Sequence, residues 1–302
     1  MCRILFAACQ LRGQVTETSQ PTVIPGHSLS REGAAAAAQA EQAGSKRGDG
    51  RPVGLLIING DDWGRNTETT DRMFECVAHG TVCSVSAMVF MEDSERAAAI
   101  ARDRAVDAGL HLNLTTPFSA SNCPSRLSDR QREISSYLLR RTFHRMIFHP
   151  GLARSFEYVV KAQLDEFCRL YGTLPGRIDG HHHMHLCANV LLGRLLPAGT
   201  LVRRNFSFRA GEKSLVNRLY RGALDRGLAR RHRLVDFFFS LPPLDPPSRL
   251  ERIFSLANQF TVEVETHPVH PEEYRFLMGE KFLQLTANVP TPRVPARRDF
   301  GR

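Results

Sequence analysis

The sequence predicts an α/β fold, either a parallel β/α barrel or a distorted barrel with about seven strands. Short apolar runs alternate along the chain with segments of helical pattern, and strands that alternate with helices pair in parallel through right-handed crossovers. Polar residues also recur directly after several of these runs, as expected where a barrel gathers functional groups at the carboxyl ends of its strands. A doubly wound open sheet is the alternative architecture.

The predicted elements of the first half follow from apolar runs and helix stop signals. The run VGLLIIN predicts a buried strand at Val53–Asn59, and Gly80 is a typical stop for a helix over Thr67–His79. The next predicted elements are a strand at Ser84–Phe90, a helix at Glu92–Arg104, a strand at Asp107–Leu114, a long helical region ending with Phe156–Tyr171, and a short strand at Arg177–Gly180.

The second half continues the same alternation. Its predicted elements are a helix at Ala188–Leu196, a strand at Leu201–Arg204, a strand at Leu234–Phe239, a helix at Arg249–Leu256 and a strand at Thr261–Thr266. Residues 1–52 are rich in Ala, Ser, Gly and Gln and poor in large apolar residues, and they are predicted to form a disordered leader. Residues 287–302 are predicted to be a disordered tail, which leaves 53–286 as the β/α domain.

The positive charge of the chain is concentrated in one stretch. The formal net charge is +9, and the stretch Arg203–Arg233 holds ten Lys or Arg against Glu212 and Asp225. Nucleic-acid binding is one reading of such a stretch. We interpret it instead as the solvated face of a helix and a loop, and we expect no nucleic-acid partner.

Cysteine usage and hydropathy indicate the compartment. The seven cysteines are odd in number and include no CxxC pair, which argues against a disulfide framework and favours a reducing cytoplasm. The short apolar run near the N-terminus is a poor signal peptide, and no run of about 18 apolar residues is present, so we expect no membrane span. The oligomeric state is left open, with a homodimer among the possibilities.

Two adjacent carboxylates end the first predicted strand. Asp61 and Asp62 repel each other, and such a pair is favoured where a cation or a shared proton compensates. On this reading one carboxylate is a metal ligand and the other a general base. The alternative is a local Asx turn in which Asp62 caps the following helix.

Histidines stand at the ends of three later strands. His111 lies within the apolar run GLHLNL, where a histidine is either a core residue or a ligand. The run Asp179-Gly180-His181-His182-His183-Met184-His185 places four histidines in five positions, of which we expect one ligand, with Asp179 orienting a ring. His267 follows the last strand, before Pro268, and is either a general acid or a surface loop residue.

One Asp and two His form a facial metal site with open positions for water and substrate. A second carboxylate then remains as base and another His as acid, which is the inventory of metal-assisted hydrolysis. Neutral imidazole suits zinc and similar metals. No GxSxG motif or Walker-type phosphate loop is present.

Five blocks of sequence resemble the YdjC-like carbohydrate deacetylases, a family that includes chitooligosaccharide deacetylases and hopanoid-associated deacetylases. The blocks are LLIINGDDWGRN, HGTVCSVSAMV, DAGLHLNLT, RIDGHHHMHL and EVETHP, in the family's order. The resemblance implies a barrel-like fold, a divalent metal that is usually magnesium, and removal of acetyl from an N-acetylated sugar, oligosaccharide or glycolipid. It also implies Asp61 as catalytic base, Asp62, His111 and His181 as metal ligands, and His267 as the acid for the leaving amine.

Some positions depart from the family pattern. Thr266 stands where the family often has Cys, Trp63 stands where Phe is usual, and the part after Tyr274 is short. Two other functions stay open at this point, a metal-dependent phosphoester hydrolase and a non-catalytic metal or carbohydrate binder. A phosphoester site tends to use more carboxylates and two metals, and a binder would not need Asp61.

Overall fold

The structure is a computed structural model that describes residues 54–208 and 211–292. The predicted leader at 1–52 and the last ten residues of the predicted tail lie outside the described residues. Within the described ranges, no helix is long and apolar enough to cross a membrane.

Seven strands and nine α-helices alternate along the described chain. The strands are β1 (Leu55–Trp63), β2 (Ser84–Ala87), β3 (Ala108–Leu112), β4 (Arg177–Gly180), β5 (Leu201–Val202), β6 (Phe237–Ser240) and β7 (Thr261–Thr266). The helices are α1 (Thr67–His79), α2 (Ser94–Arg104), α3 (Ser125–Arg140), α4 (Ala153–Tyr171), α5 (Ala188–Leu192), α6 (Leu215–Ala229), α7 (Pro247–Leu256), α8 (Pro271–Leu277) and α9 (Glu280–Thr286). Short 3₁₀ segments span Thr142–Met146, Pro150–Leu152 and His181–Leu186.

All strand pairs are parallel, in the order β5-β4-β3-β2-β1-β7-β6. The first strand therefore pairs with the last, with Gly60 opposite Thr266. Two backbone hydrogen bonds connect each edge strand to chain beside the other edge, from Val202 N to Arg233 O and from Ser207 N to Phe238 O. The sheet is thus curled into a half-barrel with helices around it, which confirms the predicted α/β class and the distorted barrel.

The observed bounds agree with the predicted ones where a clear local signal ends the element. The helix over Thr67–His79 ends at Gly80, whose left-handed backbone (φ 81°) donates its N–H back into the last turn. The bounds of β4 and β7 also match their predictions. The first strand runs four residues further than predicted, to Trp63, so Asp61 and Asp62 belong to β1 rather than follow it.

The hydrophobic core lies between the sheet and the helices. Leu56, Val85 and Val262 from the strands are fully buried there, together with Phe254 of α7. Helix α1 packs directly on β1, since a Cβ at Gly60 would lie 1.9 Å from Met73 Sδ. Glycine at position 60 is therefore what allows the close approach of helix and strand, just before the two aspartates.

The first residues of the predicted tail contact the domain. Pro290 O accepts a hydrogen bond of 2.7 Å from Leu56 N, and Val289 packs against the core. The boundary of the predicted tail stays a prediction, because its last ten residues lie outside the described ranges.

Candidate metal centre and active site

A bulge at the end of β1 separates the two aspartates. The pairing of β1 with β2 shifts register between Gly60 and Trp63, and Asp62 has a left-handed backbone with φ of 69°. A β-bulge redirects the side chains of the bulged strand, and Asp is one of the few non-glycine residues that adopt a left-handed backbone readily. As a result, Asp61 faces Arg203 while Asp62 faces two imidazoles.

Asp62, His111 and His181 converge on one point. Asp62 Oδ1 lies 3.3 Å from His111 Nε2 and 2.9 Å from His181 Nδ1, and all three residues are buried. Despite these short distances, no ring N–H among the described residues is aligned to hydrogen-bond Oδ1. The three potential ligand atoms lie close together, and Asp62 Oδ1 is buried without a hydrogen-bond donor. This arrangement is typical of a cation site rather than of a hydrogen-bonded cluster.

Asp179 orients the His111 ring. The His111 Nδ1 atom lies 2.7 Å from Asp179 Oδ1, so Nδ1 donates its proton to that carboxylate, and Nε2, which is directed toward Asp62, is the nitrogen that a metal would bind. Burial lowers the pKa of His111, but the carboxylates of Asp61 and Asp179 raise it more, to about 10. The donor set of one carboxylate and two imidazoles, with one ring oriented by a further carboxylate, fits a divalent metal ion.

Arg203 hydrogen-bonds both carboxylate oxygens of Asp61. Its Nη1 and Nη2 donate hydrogen bonds of 2.7 Å and 2.8 Å to the two Asp61 oxygens, and Asn59 Nδ2 donates another of 2.8 Å. Burial raises the pKa of Asp61, but the guanidinium charge of Arg203, followed by His111, holds that pKa below its usual value. Asp61 is therefore an ionised carboxylate in a fixed orientation.

The Arg203 guanidinium also contacts three other carboxylates. Arg203 is fully buried, lies over the Phe238 ring at 4.8 Å, and contacts Asp179 Oδ2 (2.9 Å), Glu263 Oε1 (2.7 Å) and Glu265 Oε2 (3.3 Å). Negative charge outnumbers positive charge in this cluster, which favours the protonated form of its carboxyls. Burial and then the charge of Asp61 raise the pKa of Glu265 well above its usual value, so this carboxyl holds its proton longest.

The histidine run is not extended. His182 and His183 have left-handed backbones, with φ of 54° and 57°, and the segment folds into a 3₁₀ turn. The side chains therefore diverge: His182 Nδ1 lies 3.0 Å from Thr115 Oγ1, His183 Nε2 lies 3.8 Å from Glu265 Oε1, and His185 Nε2 lies 2.9 Å from Arg203 O. A Cβ at Gly180 would lie within 3.0 Å of His185, so glycine there permits the turn.

His267 lies beside the cluster without joining it. It directly follows β7, whose last residue Thr266 pairs with Gly60 of β1, and its backbone N–H donates to Glu273 Oε2 at 2.9 Å. Its half-buried ring contacts the His270 ring, with centroids 5.9 Å apart, and among residues 54–208 and 211–292 it forms no hydrogen bond, ion pair or ring contact with Asp61. The structure thus gathers Asp61, Asp62, His111 and His181 in one buried region, where Asp62 contacts both histidines, and it places His267 after the adjacent strand.

Glu263, Glu265 and Ser86 belong to the site but were not predicted from the sequence. Ser86 Oγ donates a hydrogen bond of 2.5 Å to Asp179 Oδ2. The two glutamates alternate with Val262 and Val264 in TVEVET, and this alternation was a usable signal. In a β/α barrel the valines face the helices, so the glutamates between them must face the interior.

Comparison with known proteins identifies the family. The sequence profile described as YdjC-like protein matches residues 55–288, which is most of the chain. The chain belongs to the YdjC-like family. A crystal structure from Enterococcus faecalis V583, described as a candidate cellobiose-phosphate cleavage protein, superimposes on 80% of this YdjC-like chain and 98% of its own, with a TM-score of 0.56 and 16% identity. That likeness shows the fold alone.

Several relatives of this YdjC-like chain are described as deacetylases. It is 29% identical over 177 residues to a chitooligosaccharide deacetylase of Enterobacter sp. (strain 638), which is 58% of this chain and 64% of the relative. It is 33% identical over 137 residues to one from Serratia marcescens (44% and 51%), and 28% identical over 149 residues to a carbohydrate deacetylase of Danio rerio (46% and 45%). The chain therefore spans about half to two thirds of the length of these relatives.

Proposed function

We propose that this YdjC-like protein is a metal-dependent carbohydrate deacetylase that hydrolyses the N-acetyl group of an N-acetylated sugar, oligosaccharide or glycolipid. The observation that carries the proposal is the convergence of Asp62 Oδ1, His111 Nε2 and His181 Nδ1 beside an ionised carboxylate. The names of the related deacetylases support the substrate class.

The residues of the chain have separate tasks in this proposal. Asp62, His111 and His181 would hold the metal, which when bound supplies Lewis-acid activation of water and of the acetamide carbonyl. Asp61 accepts the proton of the attacking water, since Arg203 keeps this carboxylate ionised and fixes both of its oxygens. His267 donates a proton to the amide nitrogen, so that an amine leaves rather than an amide anion.

The donor set bears on the identity of the metal. Magnesium, which the family resemblance implies, prefers oxygen ligands, whereas two imidazoles and one carboxylate suit zinc and other transition metals better. Magnesium and zinc are therefore both to be tested, along with manganese and cobalt. Cytoplasmic location remains a prediction from the sequence.

The function can be tested by acetate release from a panel of N-acetylated sugars and glycolipids. The purified full chain is stripped with a chelator and then reloaded with each metal in turn. We expect no acetate from the stripped protein and recovery with at least one metal. The proposal fails if acetate release is unaffected by complete removal of metal, or if no N-acetylated sugar in the panel is hydrolysed by any reloaded form.

The phosphoester alternative is tested with the same preparations. Phosphate release from sugar phosphates is measured beside acetate release, with Asp61→Asn as the matched variant. Acetate release that depends on Asp61, without phosphate release, is the result expected for a deacetylase.

A further inference from the structure

Two exposed segments with an unusual composition meet on one face of the domain. The first is the stretch 139–148 and the second is the start of α6 at 215–221. A cavity of 370 Å³ is lined from both sides, by Thr142 and Arg145 of the first segment and by Asn217 and Tyr220 of the second. We call the exposed side chains of these two segments the Arg-apolar face.

The Arg-apolar face exposes far more apolar surface than a solvated face requires. The exposed fraction reaches 77% for Val216 and 66% for Leu215. The exposed apolar members are Leu139, Phe143, Met146, Ile147, Phe148, Leu215, Val216, Leu219 and Tyr220. Single exposed apolar residues are normal, but contiguous ones mark an interaction surface.

The cations of the face are unusual as well. Arg140, Arg141, Arg145 and Arg218 are exposed among these apolar side chains. The sequence has no Asp or Glu between 134 and 156, and none between 213 and 224. The charge of Arg203–Arg233 by itself indicates a solvated face, but the structure places apolar side chains of similar exposure beside that charge.

We infer that the Arg-apolar face docks on an anionic lipid surface. Exposed aliphatic and aromatic side chains next to Arg, with no acidic residue between them, are the composition of segments that lie in the interfacial region of a bilayer. The apolar side chains enter the boundary between headgroups and acyl chains, and the guanidiniums contact lipid phosphates. This inference is independent of the reaction at the candidate active site.

Two other occupants suit the face less well. A symmetric dimer through this face would bring the arginines of both copies into one interface, with no acidic residue of either segment to pair with them, and this accumulation of like charge is unfavourable. Nucleic acid would use the arginines and aromatic rings, but six of the nine exposed apolar residues are aliphatic and cannot stack on bases. An anionic lipid surface uses both features.

Docking on lipid would also orient the candidate site. His183, which lies two residues beyond the proposed ligand His181, lines the same cavity as Thr142 and Tyr220. A membrane that contacts the Arg-apolar face therefore lies at the mouth of a cavity that reaches the histidine run. A substrate held at a lipid surface would approach the site from this side.

The test is co-sedimentation of the full chain with vesicles of phosphatidylcholine alone and of phosphatidylcholine with phosphatidylglycerol. We expect binding to the anionic vesicles that weakens with salt, and little binding to the neutral ones. Val216→Gln combined with Leu219→Gln should lower the partition coefficient at least ~10-fold, and Arg140→Glu combined with Arg145→Glu should do so on anionic vesicles. Leu174→Gln, at a position with 72% exposure in another segment, is the matched control and should bind like the parent chain.

Four results would overturn the inference. The first is no binding to anionic vesicles, and the second is equal binding by the face variants and the parent. The third is duplex DNA binding that the same variants reduce, in the absence of vesicle binding. The fourth is a dimer of the parent chain that Val216→Gln combined with Leu219→Gln dissociates. Circular dichroism and melting temperature of each variant exclude misfolding as the cause of lost binding. If one pair misfolds, the other pair still decides the question.

Discussion

Arg203 donates hydrogen bonds of 2.7 Å and 2.8 Å to the two oxygens of Asp61, although 142 residues separate the two positions in the sequence. This buried bidentate pair joins the residue that directly follows the edge strand β5 to the central strand β1. It fixes the proposed catalytic base and keeps its pKa low, so the charge and the orientation of Asp61 depend on one buried guanidinium.

Replacement of Arg203 should destabilise the fold and reduce turnover together. Arg203→Met leaves four buried carboxyls without their shared cation, and loss of one partner of a buried ion pair typically costs about 3–5 kcal/mol. Arg203→Lys keeps a charge but loses the planar fork, so it should recover part of the stability and little of the activity. Urea unfolding and initial rates check both statements. Native stability in Arg203→Met would show that the cluster does not depend on this residue.

The three proposed ligands should each be needed for metal binding. His181→Ala and His111→Ala should lower the bound metal per chain to a small fraction of that in the parent. Asp62→Asn, which keeps a residue that tolerates the left-handed backbone, should also bind metal weakly. Metal content is measured by elemental analysis after dialysis, with His79→Ala at an exposed position as control. Full occupancy in all three variants contradicts the assignment.

Asp61→Asn should keep the metal and lose turnover. The amide cannot accept the proton of water, and a general base is typically worth ~10²–10⁴-fold in rate. The rate of acetate release and the bound metal per chain are measured on the same sample. If Asp61→Asn empties the site while Asp62→Asn keeps the metal, the roles of the two carboxylates are the reverse of those proposed.

His267→Ala should discriminate between leaving groups. An amine needs a proton to leave, whereas the phenolate of an activated acetyl ester does not, so the variant should lose acetamide hydrolysis far more than ester hydrolysis. His270→Ala, which removes the neighbouring ring, is the control and should affect both substrates little. Acetamide hydrolysis at the normal rate in His267→Ala would move the acid role elsewhere, with His183 as the next residue to test.

Glu265 should make the metal-free protein less stable as pH rises. Its pKa in the folded state is raised well above the usual value, so its contribution to stability is fully present below the unfolded pKa of about 4.3. The contribution is lost as pH rises through the folded pKa. Glu265→Gln removes this loss, so its melting temperature should gain on that of the parent as pH rises above about 4.5. Glu280→Gln, at an exposed position, is the control, and its melting temperature should differ from that of the parent by the same amount at every pH. A pH-independent difference for Glu265→Gln as well would contradict the prediction.

The sequence by itself determined the alternation of strands and helices and therefore the parallel, barrel-like sheet. It also determined which strand ends carry Asp61, Asp62, His111 and His181, because these features depend on local composition and on short motifs. Helix bounds such as Thr67–His79 followed from a single stop residue, Gly80, whose conformation is a local property.

Only the tertiary structure decided how these side chains are oriented and what surrounds them. The bulge that turns Asp62 away from Asp61, and the left-handed backbones that make the histidine run diverge, depend on contacts with other strands. The pairing of β1 with β7 brings Glu263 and Glu265 to Arg203, and no local pattern specifies partners so distant in sequence. Burial of all these charges in one interior then sets their pKa values, since desolvation and charge proximity act only once the chain has closed around them.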